Sequence, residues 1–151
     1  MAKEEKNLVA YCGLYCSACS FKVAYDENDK RHILEMPAHY DQYKDKPLQF
    51  CPGCKLDEQG SKCEIRNCAK NKGLNHCGLC EEFPCEIINK FSKDGLTHHA
   101  EVIKNLKILK DIGEDQWLKL QEQKWRCECG AKISWHVKNC FKCGKALKVS
   151  D

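Results

Sequence analysis

Cys12-Gly13-Leu14-Tyr15-Cys16-Ser17-Ala18-Cys19 opens a series of fourteen cysteines and sets the terms on which the rest of the chain is read. Three soft donors at i, i+4 and i+7, with Gly13 between the first two, let a backbone curl around one ion. A packed core requires no such spacing, although isolated buried thiols often act as small apolar residues. Because eleven more cysteines follow, the stretch reads as the first limb of a metal site.

Moving outward, the next thiols come in knuckles. In Cys51-Pro52-Gly53-Cys54 the Pro-Gly pair makes a tight turn that aims two sulfurs and several backbone N–H groups at one ion, the arrangement of structural zinc sites. His76-Cys77-Gly78-Leu79-Cys80 repeats it. Each knuckle is followed by Cys-Glu-Ile at the start of an expected helix, Cys63-Glu64-Ile65 and Cys85-Glu86-Ile87, and a helix start favours the thiolate. The echo groups Cys51, Cys54 and Cys63 around one ion and Cys77, Cys80 and Cys85 around another. Cys12, Cys16, Cys19 and Cys68 then supply the remaining ligands.

The last segment carries Cys127-Glu128-Cys129-Gly130 and Cys140-Phe141-Lys142-Cys143-Gly144, separated by the alternating stretch Ile133-Ser134-Trp135-His136-Val137. Two thiol pairs, each followed by glycine, have the pattern of a zinc ribbon in which two hairpin turns pinch one tetrahedral ion. Cys127, Cys129, Cys140 and Cys143 are therefore expected to form a self-contained site.

The connecting segments read as helical. Ser20 to Tyr43 falls into two pieces, with Asn28 or Asp29 as a cap and Pro37 beginning the second; Ile33, Leu34, Met36, Tyr40 and Tyr43 form its apolar stripe. A short helix after Cys63 is stopped by Gly73. Thr97 to Trp125 contains no cysteine and reads as two helices, the first capped by Thr97, striped by Val102, Ile103, Leu106, Leu109 and Ile112, and ended by Gly113. Trp117, Leu118 and Leu120 mark the second. His32 and His39 read as surface or satisfied histidines, and His98 and His99 as solvated ones.

The expected class is α+β: a small, metal-stabilised, mainly helical domain over 1–112, a connecting helix over 113–125 and a zinc-ribbon β-hairpin over 126–151. A chain of 151 residues can bury a moderate core, but the 42% hydrophobic share counts the cysteines, so metal bonds are expected to replace part of the core energy. The uncharged run 8–21 lies behind Lys3 and Lys6, yet Glu4 and Glu5 spoil the positive flank and three cysteines interrupt it. It is also too short to span a bilayer. A cytoplasmic, reduced and metal-loaded protein is expected. The formal charge of +3 does not mark a polyanion binder. Each four-thiolate site carries about −2, so roughly three sites bring the loaded protein to about −3.

Cys12-Gly13-Leu14-x-Cys16-x2-Cys19, Cys51-x2-Cys54, Cys63-Glu64-Ile65-Arg66-x-Cys68-Ala69-x-x-Lys72-Gly73 and Cys77-x2-Cys80-x2-Phe83-Pro84-Cys85-Glu86 together resemble the cysteine-rich family known as domain of unknown function 3795. The resemblance covers roughly residues 8 to 112 and carries no activity to transfer.

The residues favour a zinc-binding, non-catalytic adaptor with roughly three Zn2+ on closed tetrahedral sites. The alternative is an iron–sulfur redox or electron-transfer protein with one cluster in the main domain, because Cys12-x3-Cys16-x2-Cys19 has the spacing that holds three irons in radical S-adenosylmethionine enzymes. The strand-helix run of a barrel is missing, and so are a Ser-His-Asp grouping, a phosphate-binding glycine loop and a zinc-protease helix. Enzymatic activity is left open. Arg126, Lys132, Lys138, Lys142, Lys145 and Lys148 lie close in sequence to Trp125, Trp135 and Phe141, which makes the ribbon the expected contact for a protein or nucleic-acid partner.

Overall fold

The computed structural model describes residues 7–51, 53–55 and 63–147. Among these it forms seven α-helices: α1 (Ser20–Glu27), α2 (Arg31–Leu34), α3 (Asp41–Lys44), α4 (Glu64–Asn71), α5 (Glu86–Ser92), α6 (Val102–Ile112) and α7 (Glu114–Lys124). Short 3-10 turns at Cys16–Ala18, Ala38–Tyr40, Cys77–Leu79 and His99–Glu101 join them.

The local signals account for most of these boundaries. Asn28 closes α1 at φ 51°, with its backbone N–H turned back onto the last turn of the helix. Asp29 then accepts the Arg31 N–H at 3.0 Å and starts α2. Cys63 and Cys85 are the residues that precede α4 and α5, as the echo between the two knuckles predicts. Beyond α4, Leu74 donates to the Ala69 carbonyl at 2.9 Å across Gly73. Gly113 separates α6 from α7. The start of α6 lies further on than Thr97, because the 3-10 turn His99–Glu101 comes first. The two histidines there are not solvated as expected: His98 is buried, and the His99 ring stacks on Phe91 at 3.8 Å and meets the Asp94 carboxylate at 2.6 Å.

The chain divides into two compact units, each drawn from two separated stretches. The first comprises Met1–Cys16 and Pro52–Leu120. Its organising element is α6, whose face Val102, Asn105, Leu106 and Leu109 is buried at i, i+3, i+4 and i+7. The Gly13 turn rests on that face. Asn105 Nδ2 donates to the Gly13 carbonyl at 3.0 Å, and a Cβ on Gly13 would stand 2.7 Å from Leu106 Cγ. The Gly78 turn sits on the same helix, where a Cβ would meet the Leu106 carbonyl at 2.7 Å. Trp117 is fully buried and meets Tyr15 edge to face at 6.1 Å, while Ile112 and Leu120 stay exposed.

The second unit comprises Ser17–Cys51 and Gln121–Asp151, so the segment 17–51 groups with the C-terminal segment and not with the knuckles that flank it in sequence. Ala24, Ile33 and Met36 form one cluster, joined by Phe21, Tyr40 and Leu48. Leu34 and Tyr43, expected in the same stripe, are exposed. The two stretches are tied by Trp135 N–H to the Ala18 carbonyl at 3.1 Å, by His32 Nδ1 and Ser134 Oγ at 2.8 Å, and by the Arg31 guanidinium 4.5 Å from the Phe141 ring.

The α+β class with a β-hairpin ribbon is overturned. Among the described residues there is no sheet, and the extended pairings are isolated bridges: Val9 with Tyr15, Arg126 with Lys132, and Asn139 with Ala146. The reason lies in Ile133-Ser134-Trp135-His136-Val137. All five are buried, where a half-buried strand would alternate; Ile133 N–H still reaches the Trp125 carbonyl at 3.1 Å beside the Arg126–Lys132 bridge, but the pairing goes no further. Trp135 bonds to Ala18, and Val137 turns back onto the Ser134 carbonyl at 3.2 Å, so no ladder forms between the two thiol turns.

Candidate metal centre

Each C-terminal thiol turn closes on itself. Gly130 N–H reaches the Cys127 carbonyl at 2.8 Å and Cys127 N–H the Ala131 carbonyl at 2.9 Å. Gly144 to Cys140 and Cys140 to Lys145, both at 2.9 Å, repeat the pattern. The turns face each other: Cys127 Sγ lies 3.5 Å from Cys143 Sγ, Cys129 Sγ 3.6 Å from Cys140 Sγ, and all four sulfurs are within 4.8 Å of one another. A disulfide would need about 2.05 Å. A tetrahedron with Zn–S bonds of about 2.3 Å has edges of about 3.8 Å, close to the observed spacing. These four residues could hold a metal ion.

The electrostatics suit thiolate. The Cys143 and Lys142 backbone N–H groups bond to the Cys140 sulfur, and with the neighbouring Cys129 and Cys127 they pull its thiol down to about 6 against the opposing effect of burial. The Lys142 N–H stands 3.4 Å from that sulfur. Cys127 and Cys140 are buried and Cys129 and Cys143 exposed, so the set has a solvent-facing side. Lys145 Nζ, 2.6 Å from the Glu128 carboxylate, links the two turns at the surface.

No disulfide joins any of the other ten cysteines either. Cys19 and Cys51 belong to the second unit; Cys12, Cys16, Cys54, Cys63, Cys68, Cys77, Cys80 and Cys85 belong to the first. Cys12 has the sulfurs of Cys54, Cys63 and Cys77 within electrostatic reach. Burial, with Cys54 next, pushes its thiol above the ordinary range. A Cβ on Gly53 would stand 4.0 Å from Cys16 Sγ. Arg66, buried, extends toward the Cys54 carbonyl at 3.5 Å.

Cys68, Cys77, Cys80 and Cys85 line one small cavity of about 80 Å3. Burial pushes the Cys77 thiol up to about 12, and Cys85, Cys68, Cys80 and Cys63 add to the rise in that order. The expected trio Cys77, Cys80 and Cys85 is thus together, with Cys68 as its fourth neighbour. The trio Cys51, Cys54 and Cys63 is divided between the units.

Two residues that the sequence reading left without a role shape this region. Lys72, one turn beyond Cys68, places Nζ 3.4 Å from Cys80 Sγ and 2.7 Å from the Glu82 carboxylate. Its i+4 relation to Cys68 is the signal that could have drawn attention to it. His76 is buried and accepts the Gly78 N–H on Nδ1 at 3.1 Å, which holds the start of the 77–80 turn. His32, read as a satisfied histidine, is one. Trp125 and Trp135 are buried, and Phe141 is covered by Arg31 and His32, so these rings offer no open stacking platform.

Among the described residues no helix is long and apolar enough to cross a membrane. No curated protein and no solved structure matches the chain. A family model does match, over residues 8–90, which takes in the first ten cysteines and leaves the C-terminal four outside. The chain belongs to this family, described as a protein of unknown function (DUF3795).

Proposed function

We propose that this is a zinc-binding, non-catalytic protein in which bound metal fixes a surface for a macromolecular partner. The observation that carries the reading is the convergence of Cys127, Cys129, Cys140 and Cys143 to within 4.8 Å of one another. Four thiolates at that spacing complete a tetrahedron, and a complete tetrahedron leaves no coordination position for substrate or activated water. Among metals, an all-thiolate tetrahedral set from two tight turns favours zinc. When bound, the ion would cross-link two turns that share no sheet ladder.

Support for a partner surface comes from charge and not from stacking. Lys138 and Lys142 are exposed beside the turns, and Arg126 lies at the first of them. The buried tryptophans make an electrostatic contact the better reading for that face. Protein purified without oxygen should be colourless at this site and should lose one zinc per chain, by elemental analysis, in Cys127→Ser/Cys143→Ser. Unchanged zinc in that variant would end the reading. Charge reversal at Lys138 and Lys142 should weaken any nucleic-acid binding and flatten its salt dependence; binding indifferent to both would exclude this face as the contact.

A further inference from the structure

We infer that Cys68, Cys77, Cys80 and Cys85 form a second all-thiolate metal centre, located in the first unit and independent of the C-terminal four. Three separate pieces of backbone bring these thiols to one place. Cys68 comes from α4, Cys77 and Cys80 flank the turn seated on α6, and Cys85 stands just before α5. The cavity between them measures about 80 Å3, against about 30 Å3 for one water molecule, and its remaining wall is mainly apolar, with Ala69, Phe83 and Ile88.

Two ordinary explanations of such thiols do not fit. Cysteines used as small apolar core residues should be packed to crystal-like density, yet these four are half-buried around a void. Cysteines used as cross-links should be paired, and no disulfide joins them. A group that coordinates sulfur accounts for both the convergence and the space.

The surroundings match its charge. Four thiolates leave a metal centre negative overall, and the cation present at the wall is Lys72, bonded to Cys80 Sγ and fixed by Glu82. His76 braces the turn that presents Cys77 and Cys80. Among the described residues, only the C-terminal sulfurs form a group of three or more that all lie within 4.8 Å of one another, so the ring in the first unit is wider. A single zinc ion would draw this ring inward; an iron–sulfur cluster would occupy more of the cavity. The shared chemistry is a thiophilic centre on four cysteines.

The test uses the full chain, purified without oxygen, with metal and acid-labile sulfide measured per chain. Cys68→Ser/Cys85→Ser should lose the metal of this centre and keep that of the C-terminal site, while Cys127→Ser/Cys143→Ser should do the reverse. Zinc without sulfide identifies a single ion and iron with sulfide a cluster, and either supports the site. Unchanged metal content in Cys68→Ser/Cys85→Ser overturns it, whatever the C-terminal variant does. Should that variant fail to fold, alkylation of the wild-type protein with N-ethylmaleimide decides. Cys68, Cys77, Cys80 and Cys85 should react at least roughly tenfold more slowly before chelation than after, and equal rates overturn the inference. Lys72→Gln should speed loss of this metal to a chelator by roughly tenfold and leave the C-terminal metal unaffected; an unchanged rate would remove the support drawn from Lys72.

Discussion

Replacing Gly13 by alanine tests whether the Cys12 turn is held by its contact with α6. Gly13 has φ +89°, a conformation that costs an L-residue about 1–2 kcal/mol. The added Cβ would also stand 2.7 Å from Leu106 Cγ, 3.1 Å from Leu106 Cδ2 and 3.1 Å from the Val102 carbonyl. Leu106 is fully buried and cannot swing into solvent, so overpacking should add about 1–3 kcal/mol. The expected destabilisation is about 2–5 kcal/mol, the sum of these ranges, read by equilibrium urea unfolding at matched metal content. Repeating the substitution in a Leu106→Ala background separates the two causes. Without the leucine side chain the steric part should shrink, leaving mainly the backbone cost and a coupling energy of about 1–3 kcal/mol. A cost below about 0.5 kcal/mol in the wild-type background would refute the packing argument, since surface substitutions already reach that size. Equal costs in both backgrounds would show that Leu106 is not the obstacle.

Trp117→Ala should cost about 3–5 kcal/mol, whereas Leu120→Ala, three residues further along α7 and exposed, should stay within about 0.5 kcal/mol; similar values for the two would place the buried face wrongly. His32 supplies a pH test. Burial holds its imidazole below the ordinary value of 6.5, opposed by Asp29 and Glu27 and aided by Arg31. The unfolded chain then takes up its proton first, so the contribution of His32 to stability is complete above 6.5 and is lost as pH falls through its lower folded value. His76, also depressed by burial, acts in the same direction. Urea midpoints measured from pH 8 to 5 should fall less steeply for His32→Gln than for wild type, and parallel curves would refute the role. Asp29, held low by its hydrogen bonds to Arg31, should make Asp29→Asn mildly destabilising near pH 7, with the difference vanishing as the carboxylate is protonated in acid; a penalty independent of pH would count against the ion pair.

Short-range features were legible in the sequence because they depend on groups a few residues apart. The thiol turns around Gly130 and Gly144, the helix starts after Cys63 and Cys85, the break at Gly113 and the stripe Val102, Leu106, Leu109 all follow from backbone bonds or periodicities within about one turn or two. The four C-terminal thiols that could hold a metal ion could be named together for the same reason: two tight turns joined by a short link have few other ways to face each other.

What the sequence could not decide is which distant groups meet. Spacing left Cys68 among the remaining ligands without a partner set, and only the fold brings it, from the middle of α4, to the cavity lined by Cys77, Cys80 and Cys85. Residues 133–137 looked alternating, yet whether such a stretch joins a ladder depends on where its N–H groups find acceptors, and Trp135 finds Ala18, more than a hundred residues away in the chain. That long-range bond belongs to the same grouping that unites 17–51 with 121–151 and buries Trp125 and Trp135. Thiol spacing and residue type determined which turns could hold a metal ion and where the helices start; the closure of long loops, a tertiary matter, decided which thiols share a cavity and which rings are hidden.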